Sequence, residues 1–279
     1  MPAAFSTSPP SPYAPPNRLA GFTVSFAGES HVGRKRAHNE DSFHLPSEER
    51  LAVVADGMGG HASGEVASRL AIDTLIDHFR ATDLEAPATW PFRMNHGLRH
   101  EKSRLVTGIK LANARIWETA QANAAQHGMG TTLVSALFVG GTVLVAHVGD
   151  SRVYRYRAGV LTQLTEDHSL VNDYMKLKGL TPEEVKDFPQ KNVIVRALGM
   201  KEMVQVDLTV DQACAGDIYL LCSDGLSGMV TDPDIAEILR TEDDLEAAAA
   251  RLIMSANDHG GLDNVTAVLA KIEASDPAE

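Results

Sequence analysis

The stretch TTLVSALFVGGTVLVAHVGDSRVYRYR, residues 131–157, contains three apolar runs separated by glycine-containing turns. The runs are TTLVSALFV, TVLVAHV and RVYRYR, and the turns contain Gly140-Gly141 and Gly149-Asp150. Short runs rich in β-branched and aromatic residues, joined by tight turns, indicate consecutive strands that pair antiparallel. This part of the chain therefore predicts a mainly antiparallel sheet.

Helical patterns lie in two pairs, one before and one after these strands. The first pair covers about residues 64–80 and a later segment that ends near Gln126, and the second covers roughly 232–240 and 243–257. Further strands are predicted at 21–30, 192–198, 203–210, 217–222 and 264–272. Helices segregated from antiparallel strands are typical of α+β proteins. We predict two stacked, mainly antiparallel β-sheets flanked on each side by a pair of helices, an α-β-β-α sandwich.

The ends of the chain have a different composition from the rest. Residues 1–20 are rich in proline and serine, cannot bury enough apolar surface to fold, and lack the apolar core of a secretory signal. We predict a disordered tail over 1–20, one domain over 21–273, and a disordered end over 274–279. Within the domain, residues 165–192 carry a mixed segment that can form a helical flap.

The charge balance is strongly acidic, with 25 Lys+Arg against 37 Asp+Glu and a formal net charge of −12. This argues against a protein that coats nucleic acid or an anionic membrane surface. No run approaches 18 apolar residues, and two cysteines exclude a disulfide framework and a tetrahedral thiolate metal site. We predict a cytoplasmic monomer without nucleic-acid or membrane partners.

Part of the acidic surplus stands at the ends of predicted strands, at Asp56, Asp150, Asp224 and Asp263. Any one of these residues is explained by turn chemistry, because Asp and Gly close strands routinely. Four together favour a shared sheet edge, where converged carboxylates are costly without a counter-ion. Oxygen ligands without Cys or paired His suit Mg²⁺ or Mn²⁺. Two such ions about 3.5–4 Å apart can activate water for displacement at phosphorus.

A further charged motif, Arg36 to Ser42, lies upstream of these strand ends. Arg36 and Glu40 are four residues apart, so they can form a local ion pair worth a few tenths of a kcal/mol. In the functional interpretation, the planar guanidinium of Arg36 binds phosphate through two hydrogen bonds. Glu40 then serves the metals directly or through water.

Eight motifs in order resemble the metal-dependent serine/threonine protein phosphatases of the PPM family (type 2C), in its bacterial branch. The resemblance spans about residues 22–272. The motifs are RAHNEDSF at 36–43, VVADGMGGHASGEVAS at 53–68, GMGTTLVSA at 128–136, VAHVGDSRVYRYR at 145–157, LTEDHSLV at 164–171, VIVRALG at 193–199, DIYLLCSDGLSGMV at 217–230 and GGLDNVTAVLAKI at 260–272.

The resemblance implies a role for each matching residue around two Mn²⁺ or Mg²⁺ ions. Asp56 matches the aspartate that bridges both ions, and Gly57 matches the glycine whose carbonyl binds one of them. Asp224 and Asp263 resemble the remaining ligands of the other ion. Glu40 and Asp41 match the acids beside the second ion, with Asp41 holding a coordinated water.

The resemblance also implies a phosphate-binding role for Arg36 and a third, weaker metal held by Asp150 together with Asp224. It places the flap at 165–192, beside the active site. Asn264 and Thr266 complete a D-N-x-T pattern and shape the turn around Asp263. His168, in the flap motif, is interpreted as a hydrogen-bonded turn residue.

One departure from the family pattern concerns the general acid. Met58 follows Gly57, where eukaryotic members place a histidine, and the nearest histidine is His61. His61 can protonate the leaving oxygen of serine or threonine. It can equally orient the start of the helix that opens near Ser63, and the sequence leaves both roles open.

The expected function is metal-dependent hydrolysis of phosphoserine and phosphothreonine in proteins, opposing a bacterial Ser/Thr kinase. Phosphorylated proteins and that kinase are the implied partners. The alternative is a catalytically silent regulator of the same fold that binds a phosphorylated protein, although all the expected carboxylates are present. A third reading is an active enzyme for a non-protein phosphate ester.

Overall fold

The computed structural model describes residues 13–19, 21–46, 49–59, 63–82, 97–181, 183–185 and 193–274. The strands within these residues are β1 (Tyr13–Leu19), β2 (Phe22–His31), β3 (Asp41–His44), β4 (Leu51–Met58), β5 (Gly130–Thr131), β6 (Leu133–Val139), β7 (Thr142–Val148), β8 (Arg152–Arg157), β9 (Val160–Gln163), β10 (Asp207–Gln212), β11 (Ile218–Cys222) and β12 (Val265–Ala274). The helices are α1 (Ser63–Ala81), α2 (Leu98–Ala122), α3 (Leu170–Lys178), α4 (Asp224–Ser227), α5 (Asp232–Thr241) and α6 (Leu245–Asp258).

The strands form two antiparallel sheets. The first has the order β1-β2-β12-β11-β8-β9, and the second has the order β10-β7-β6-β4-β3, with β5 paired to β4. β6 and β7 form a hairpin in the second sheet, with Leu133 opposite Val148. The chain then crosses to the first sheet, where β8 pairs with β11. The three strands predicted within 131–157 are confirmed, and the turn containing Asp150 is the crossing between sheets.

A layer of apolar side chains fills the space between the two sheets. Phe138 lies at its centre and packs edge-to-face against Phe26 and Tyr219, with ring centroids 5.3 and 5.9 Å apart. All three rings are almost completely buried. Aromatic residues make up only 5% of the chain, so Val, Leu and Ala of the strands supply most of this layer. The layer fixes the position of one sheet on the other.

A helix pair covers the outer face of each sheet. α1 and α2 pack on the second sheet through Leu75, Phe79, Ile109 and other buried residues. α5 and α6, with the short α4, pack on the first sheet around Leu252 and its neighbours. The predicted α+β sandwich, with two stacked sheets and a pair of helices on each side, is confirmed.

Two segments differ from the predictions made from sequence. Residues 192–198 were expected to form a strand, but within 193–198 the structure has only single bridges, Ile194 to Ser169 and Leu198 to Thr131. The apolar pattern there reflects contacts with two different parts of the chain rather than one ladder.

The predicted disordered tail also needs a correction, because its residues 13–19 form β1 beside β2. The register shifts between Ala14 and Asn17, where the chain carries two prolines, which cannot donate to a ladder. The open edge of β2 provides backbone partners that composition does not reveal. Residues 1–12, 20 and 275–279 lie outside the described residues, while Ala274 still belongs to β12.

The layer between the sheets provides a test of the packing. We expect Phe138→Ala to lower the free energy of unfolding by about 3–5 kcal/mol, because it leaves a cavity between two aromatic rings. Val160→Ala, on a side chain that is 62% exposed, is the control and should change it by less than about 0.5 kcal/mol. Urea unfolding followed by circular dichroism measures both. Equal losses in the two variants would contradict this picture of the core.

Candidate active site

The predicted strand-end aspartates converge at one edge of the two sheets. β3 begins at Asp41, which lies directly opposite Asp56 near the end of β4. Asp224 follows β11 as the first residue of α4, and Asp263 precedes β12. Burial raises the pKa of Asp56 well above its usual range, and the charges of Asp41, Asp224, Asp150 and Asp263 raise it further. The structure thus brings these carboxylates close enough for their charges to act on one another.

Asp41 is buried, and its two carboxylate oxygens have different surroundings. The hydroxyls of Ser223 and Thr266 donate to Oδ2 at 2.7 and 2.6 Å. Oδ1 has no hydrogen-bond partner among the described residues. Burial raises the pKa of Asp41 to about 7, against the opposing effect of the two hydroxyl donors. One oxygen is thus fixed while the other is free to meet a cation or its water.

The Asp224 carboxyl group lies close enough to that of Asp56 for the charge of Asp224 to raise the pKa of Asp56. Burial raises the pKa of Asp224, and the nearby charge of Asp263 raises it further. Like charges this close favour protonation unless a counter-ion is present. A divalent cation held by these residues would supply that counter-charge.

Glycines bring Glu40 close to the end of β4. The Gly57 N–H donates to the Glu40 carbonyl at 3.2 Å. A Cβ on Gly57 would lie 2.1 Å from the Gly64 carbonyl oxygen and 2.6 Å from that of Glu40. A Cβ on Gly64 would lie 2.8 Å from the Glu40 carboxyl group. Both positions therefore require glycine to bring Glu40 beside Asp56.

Asp150 lies in the turn between β7 and β8 and is only 8% exposed. Its Oδ1 has no hydrogen-bond partner among the described residues. Burial raises its pKa to about 7, and the charge of Asp224 contributes next. Asp150 is therefore electrostatically part of the same acidic group.

Arg36 stands at the rim of the site with its side chain about half exposed. Its Nη2 donates to Asp263 Oδ2 at 2.7 Å, and this contact raises the pKa of the guanidinium. The local pair with Glu40 that the spacing allows is replaced by this longer-range pair with Asp263. The positive charge thus faces the carboxylates, where a phosphate group would approach them.

These residues fit hard divalent cations. Asp41 and Asp150 each present a buried carboxylate oxygen that has no hydrogen-bond partner among the described residues, and the charges of four other aspartates raise the pKa of Asp56. Such a group is costly unless cations or protons neutralise it. Carboxylate and backbone oxygens are the ligands that Mn²⁺ and Mg²⁺ prefer.

A second group of potential ligands lies behind the turn of Asp150. His147, His168 and Asp207 bring one ligand atom each to within 4.8 Å of one another. Arg196 Nη1 already donates to Asp207 at 2.7 Å. Nδ1 of His168 accepts a hydrogen bond from the Gly149 N–H at 3.0 Å. The positive charge beside these three residues is therefore that of Arg196.

Several supporting residues were not foreseen from the sequence, or only in part. Ser223 and Thr266 fix Asp41, although Thr266 was expected only to shape the turn at Asp263. Asn264 does hold the local backbone, since its side chain accepts from the Glu40 N–H and donates to the carbonyls of Val32 and His38. In the sequence, these hydroxyl and amide residues stand close to the strand-end acids, and that position is the signal that could have identified them. His61 lies outside the described residues, so its role stays a prediction.

The site belongs to the class of metal-dependent phosphoric ester hydrolases, in which grouped carboxylates hold cations beside a phosphate-binding arginine. The comparison with protein families agrees, because residues 27–271 match the family described as "Protein phosphatase 2C". The chain belongs to the protein phosphatase 2C family.

Relatives and solved structures share most of the chain. It is 38% identical over 246 residues to "Serine/threonine phosphatase stp" of Listeria innocua, covering 86% of this chain and 92% of that protein. The crystal structure of the Mycobacterium tuberculosis serine/threonine phosphatase PstP/Ppp has a TM-score of 0.78 at 41% identity, covering 90% and 99% of the two chains. The catalytic domain of PstP in complex with two manganese ions has a TM-score of 0.75 at 38% identity, covering 90% and 99%.

Because the buried acids repel one another, removal of one of them should stabilise the metal-free protein. At pH 8 in EDTA, we expect Asp56→Asn to raise the free energy of unfolding by about 1 kcal/mol, because it removes one of several buried like charges. Saturating Mn²⁺ should stabilise the wild type by about 2–4 kcal/mol and leave the variant unchanged. Urea unfolding measures both effects.

The control for this experiment is Asp258→Asn, which changes an exposed acid paired with Arg34. It should shift the stability by less than about 0.5 kcal/mol and retain the full effect of Mn²⁺. If Asp56→Asn destabilised the metal-free protein, the carboxylates would not be the uncompensated group that we describe.

Proposed function

We propose that this protein hydrolyses phosphoserine and phosphothreonine in phosphorylated proteins, with Mn²⁺ or Mg²⁺ as cofactor. The observation that carries the proposal is the group of buried carboxylates around Asp56, with Arg36 at its open rim. Two bound divalent ions would lower the pKa of a shared water and neutralise charge on the phosphoryl oxygens. Such a site needs no covalent intermediate on the protein.

The two ions would be held by residues at the ends of β4, β11 and β12. Asp56, with the Gly57 carbonyl, Asp224 and Asp263, would hold these ions. Glu40 and Asp41 would hold the second ion or its water. Asp41 suits this indirect role, because Ser223 and Thr266 occupy one of its oxygens and leave the other unpartnered. Asp150, with Asp224, would hold a third and weaker ion.

Arg36 would bind the phosphate of the substrate. Its guanidinium has more donors than the single bond to Asp263 uses, and about half of its side chain faces solvent. Two parallel N–H donors match two phosphoryl oxygens. The same group would stabilise the charge that develops during transfer to water. His61 remains the predicted donor of a proton to the leaving oxygen.

The substrate class follows from the family. The relatives compared above are named serine/threonine phosphatases, and a catalytically silent regulator finds no support in those comparisons. We propose further that the protein opposes a Ser/Thr kinase as a cytoplasmic monomer. Among the helices of the described residues, none is long and apolar enough to cross a membrane.

Removal of metal ligands tests the mechanism. We expect Asp56→Asn and Asp224→Asn each to lower kcat for p-nitrophenyl phosphate in Mn²⁺ by about a thousandfold or more, because the cations lose their shared ligands. EDTA should abolish wild-type turnover, and Asp258→Asn should retain it. Wild-type turnover in either ligand variant would rule out this mechanism. A phosphoserine peptide that is hydrolysed no faster than small phosphate esters would favour a non-protein substrate.

Arg36 is tested by comparison with a neighbouring arginine. We expect Arg36→Ala to weaken inhibition by inorganic phosphate and to lower kcat/KM at least tenfold, and Arg36→Lys to restore only part of it, because lysine lacks the planar fork. Arg34→Lys, at an arginine that binds Asn257 and Asp258, should retain both properties. Unchanged phosphate inhibition in Arg36→Ala would show that another group binds the phosphate.

A further inference from the structure

The turn that carries Asp150 is held on both sides by two consecutive flap residues. On one side, the His168 N–H donates to the Gly149 carbonyl at 3.0 Å, and the Gly149 N–H donates to His168 Nδ1 at 3.0 Å. On the other side, Arg152 donates to both carboxylate oxygens of Asp167, with distances of 2.7–3.1 Å. Asp167 and His168 therefore enclose the turn between β7 and β8.

The bond from Gly149 determines the protonation of His168. A nitrogen that accepts a hydrogen bond carries no proton, so neutral His168 has its proton on Nε2. That nitrogen lies 3.3 Å from Asp207 Oδ2 and 3.0 Å from Arg196 Nη1. Because a guanidinium can only donate, the proton on Nε2 is directed to Asp207. Burial lowers the pKa of His168, and the nearby His147 and Arg196 lower it further, which keeps Nδ1 available as an acceptor. Binding of a metal at Nε2 would require the opposite tautomer and would break the bond to Gly149.

His168 also connects the turn to the segment that follows the flap. Its carbonyl accepts from the Val195 N–H at 2.9 Å, and the Leu170 N–H donates to the Val193 carbonyl at 2.8 Å. The next residue, Ser169, caps α3 through a bond from the Asn172 N–H to its hydroxyl. The base of the flap and the turn of Asp150 are thus linked by one residue.

Asp150 depends on this support more than its neighbours do. Asp41 is fixed by two hydroxyl donors, whereas Asp150 Oδ1 has no partner among the described residues. The direction of the Asp150 carboxylate therefore follows the backbone of the turn. Gly149 has φ +111°, and a Cβ there would lie 2.6 Å from Thr132, so the backbone conformation is specific.

We propose that His168 is a positioning residue that sets the backbone of the Gly149–Asp150 turn, and thereby the affinity of the weakest cation site and its link to the flap. The inference rests on the proposed role of Asp150 as a metal ligand. The chain from Asp207 through His168 to Gly149 uses a neutral imidazole and so adds no positive charge beside Asp150.

Two conservative variants separate the two nitrogen atoms of His168. Asn places an oxygen near the position of Nδ1 and can still accept from Gly149, whereas Gln places its amide near Nε2 and can still donate to Asp207. Hydrogen exchange of the Gly149 amide is measured in the metal-free protein. We expect about tenfold faster exchange in His168→Gln and His168→Ala, and near wild-type exchange in His168→Asn.

Titration calorimetry with Mn²⁺ then measures the weakest site. His168→Gln should lower its affinity about tenfold, and His168→Asn should change it by less than threefold. His147→Gln is the matched control, because His147 is equally buried and stacks on His168 at 4.6 Å but bonds to Glu166. It should leave both measurements unchanged. Equal effects of His168→Asn and His168→Gln, or none, would overturn the proposal.

Asp150→Asn in the same titration separates this inference from the proposed function. If Asp150→Asn left the weakest site unchanged, Asp150 would not be its ligand and the proposed metal assignment would fail. If Asp150→Asn abolished that site while His168→Gln left it intact, the role of His168 alone would fail. The exchange measurement needs no metal and decides independently whether His168 holds the turn.

Discussion

The concentration of buried negative charge at the edge of the two sheets is the constraint on which the rest of the structure depends. Asp56 has its pKa raised by burial and by four neighbouring aspartates. Like charges in such a place oppose folding, so the free energy must come from elsewhere. Three apolar layers, one between the sheets and one beneath each helix pair, are the available source. The fold thus holds together acids whose charges oppose one another and are only partly offset by Arg36.

The carboxylates of the site come from both sheets, so the packing between the sheets determines how these groups are arranged. Asp41 and Asp56 belong to the second sheet, while Asp224 and Asp263 stand at the ends of strands in the first. Asp150 occupies the crossing between them. A shift of one sheet on the other would therefore change the distances between carboxylates. Hydroxyls on the first sheet, from Ser223 and Thr266, bind Asp41 on the second and tie the two together.

Sequence patterns predicted this arrangement best where local chemistry decides the structure. The apolar runs and glycine turns of 131–157 specify their own hairpin and the following strand, and the acids follow directly from strand ends. The apolar pattern of 192–198 wrongly predicted a strand, because its residues bond to separate parts of the chain and not to one neighbouring strand. Val195 bonds to His168, and Leu198 bonds to Thr131. Likewise His168 is hydrogen-bonded as expected, but its partner Gly149 is nineteen positions away in sequence. Long-range partners of this kind carry no local signal.

The positive charges around the site show why a neutral histidine suits the position behind Asp150. Arg152 is paired with Asp167, and Arg196 is paired with Asp207. Each guanidinium thereby has its own carboxylate, and although the charge of Arg152 lowers the pKa of Asp150, burial keeps that pKa raised. A protonated histidine in contact with the turn would add a positive charge and oppose cation binding there. Arg36 differs, since its partner Asp263 is itself a proposed metal ligand. Cations bound to Asp263 would compete for that carboxylate and release the guanidinium toward phosphate, so metal binding and phosphate binding would support each other.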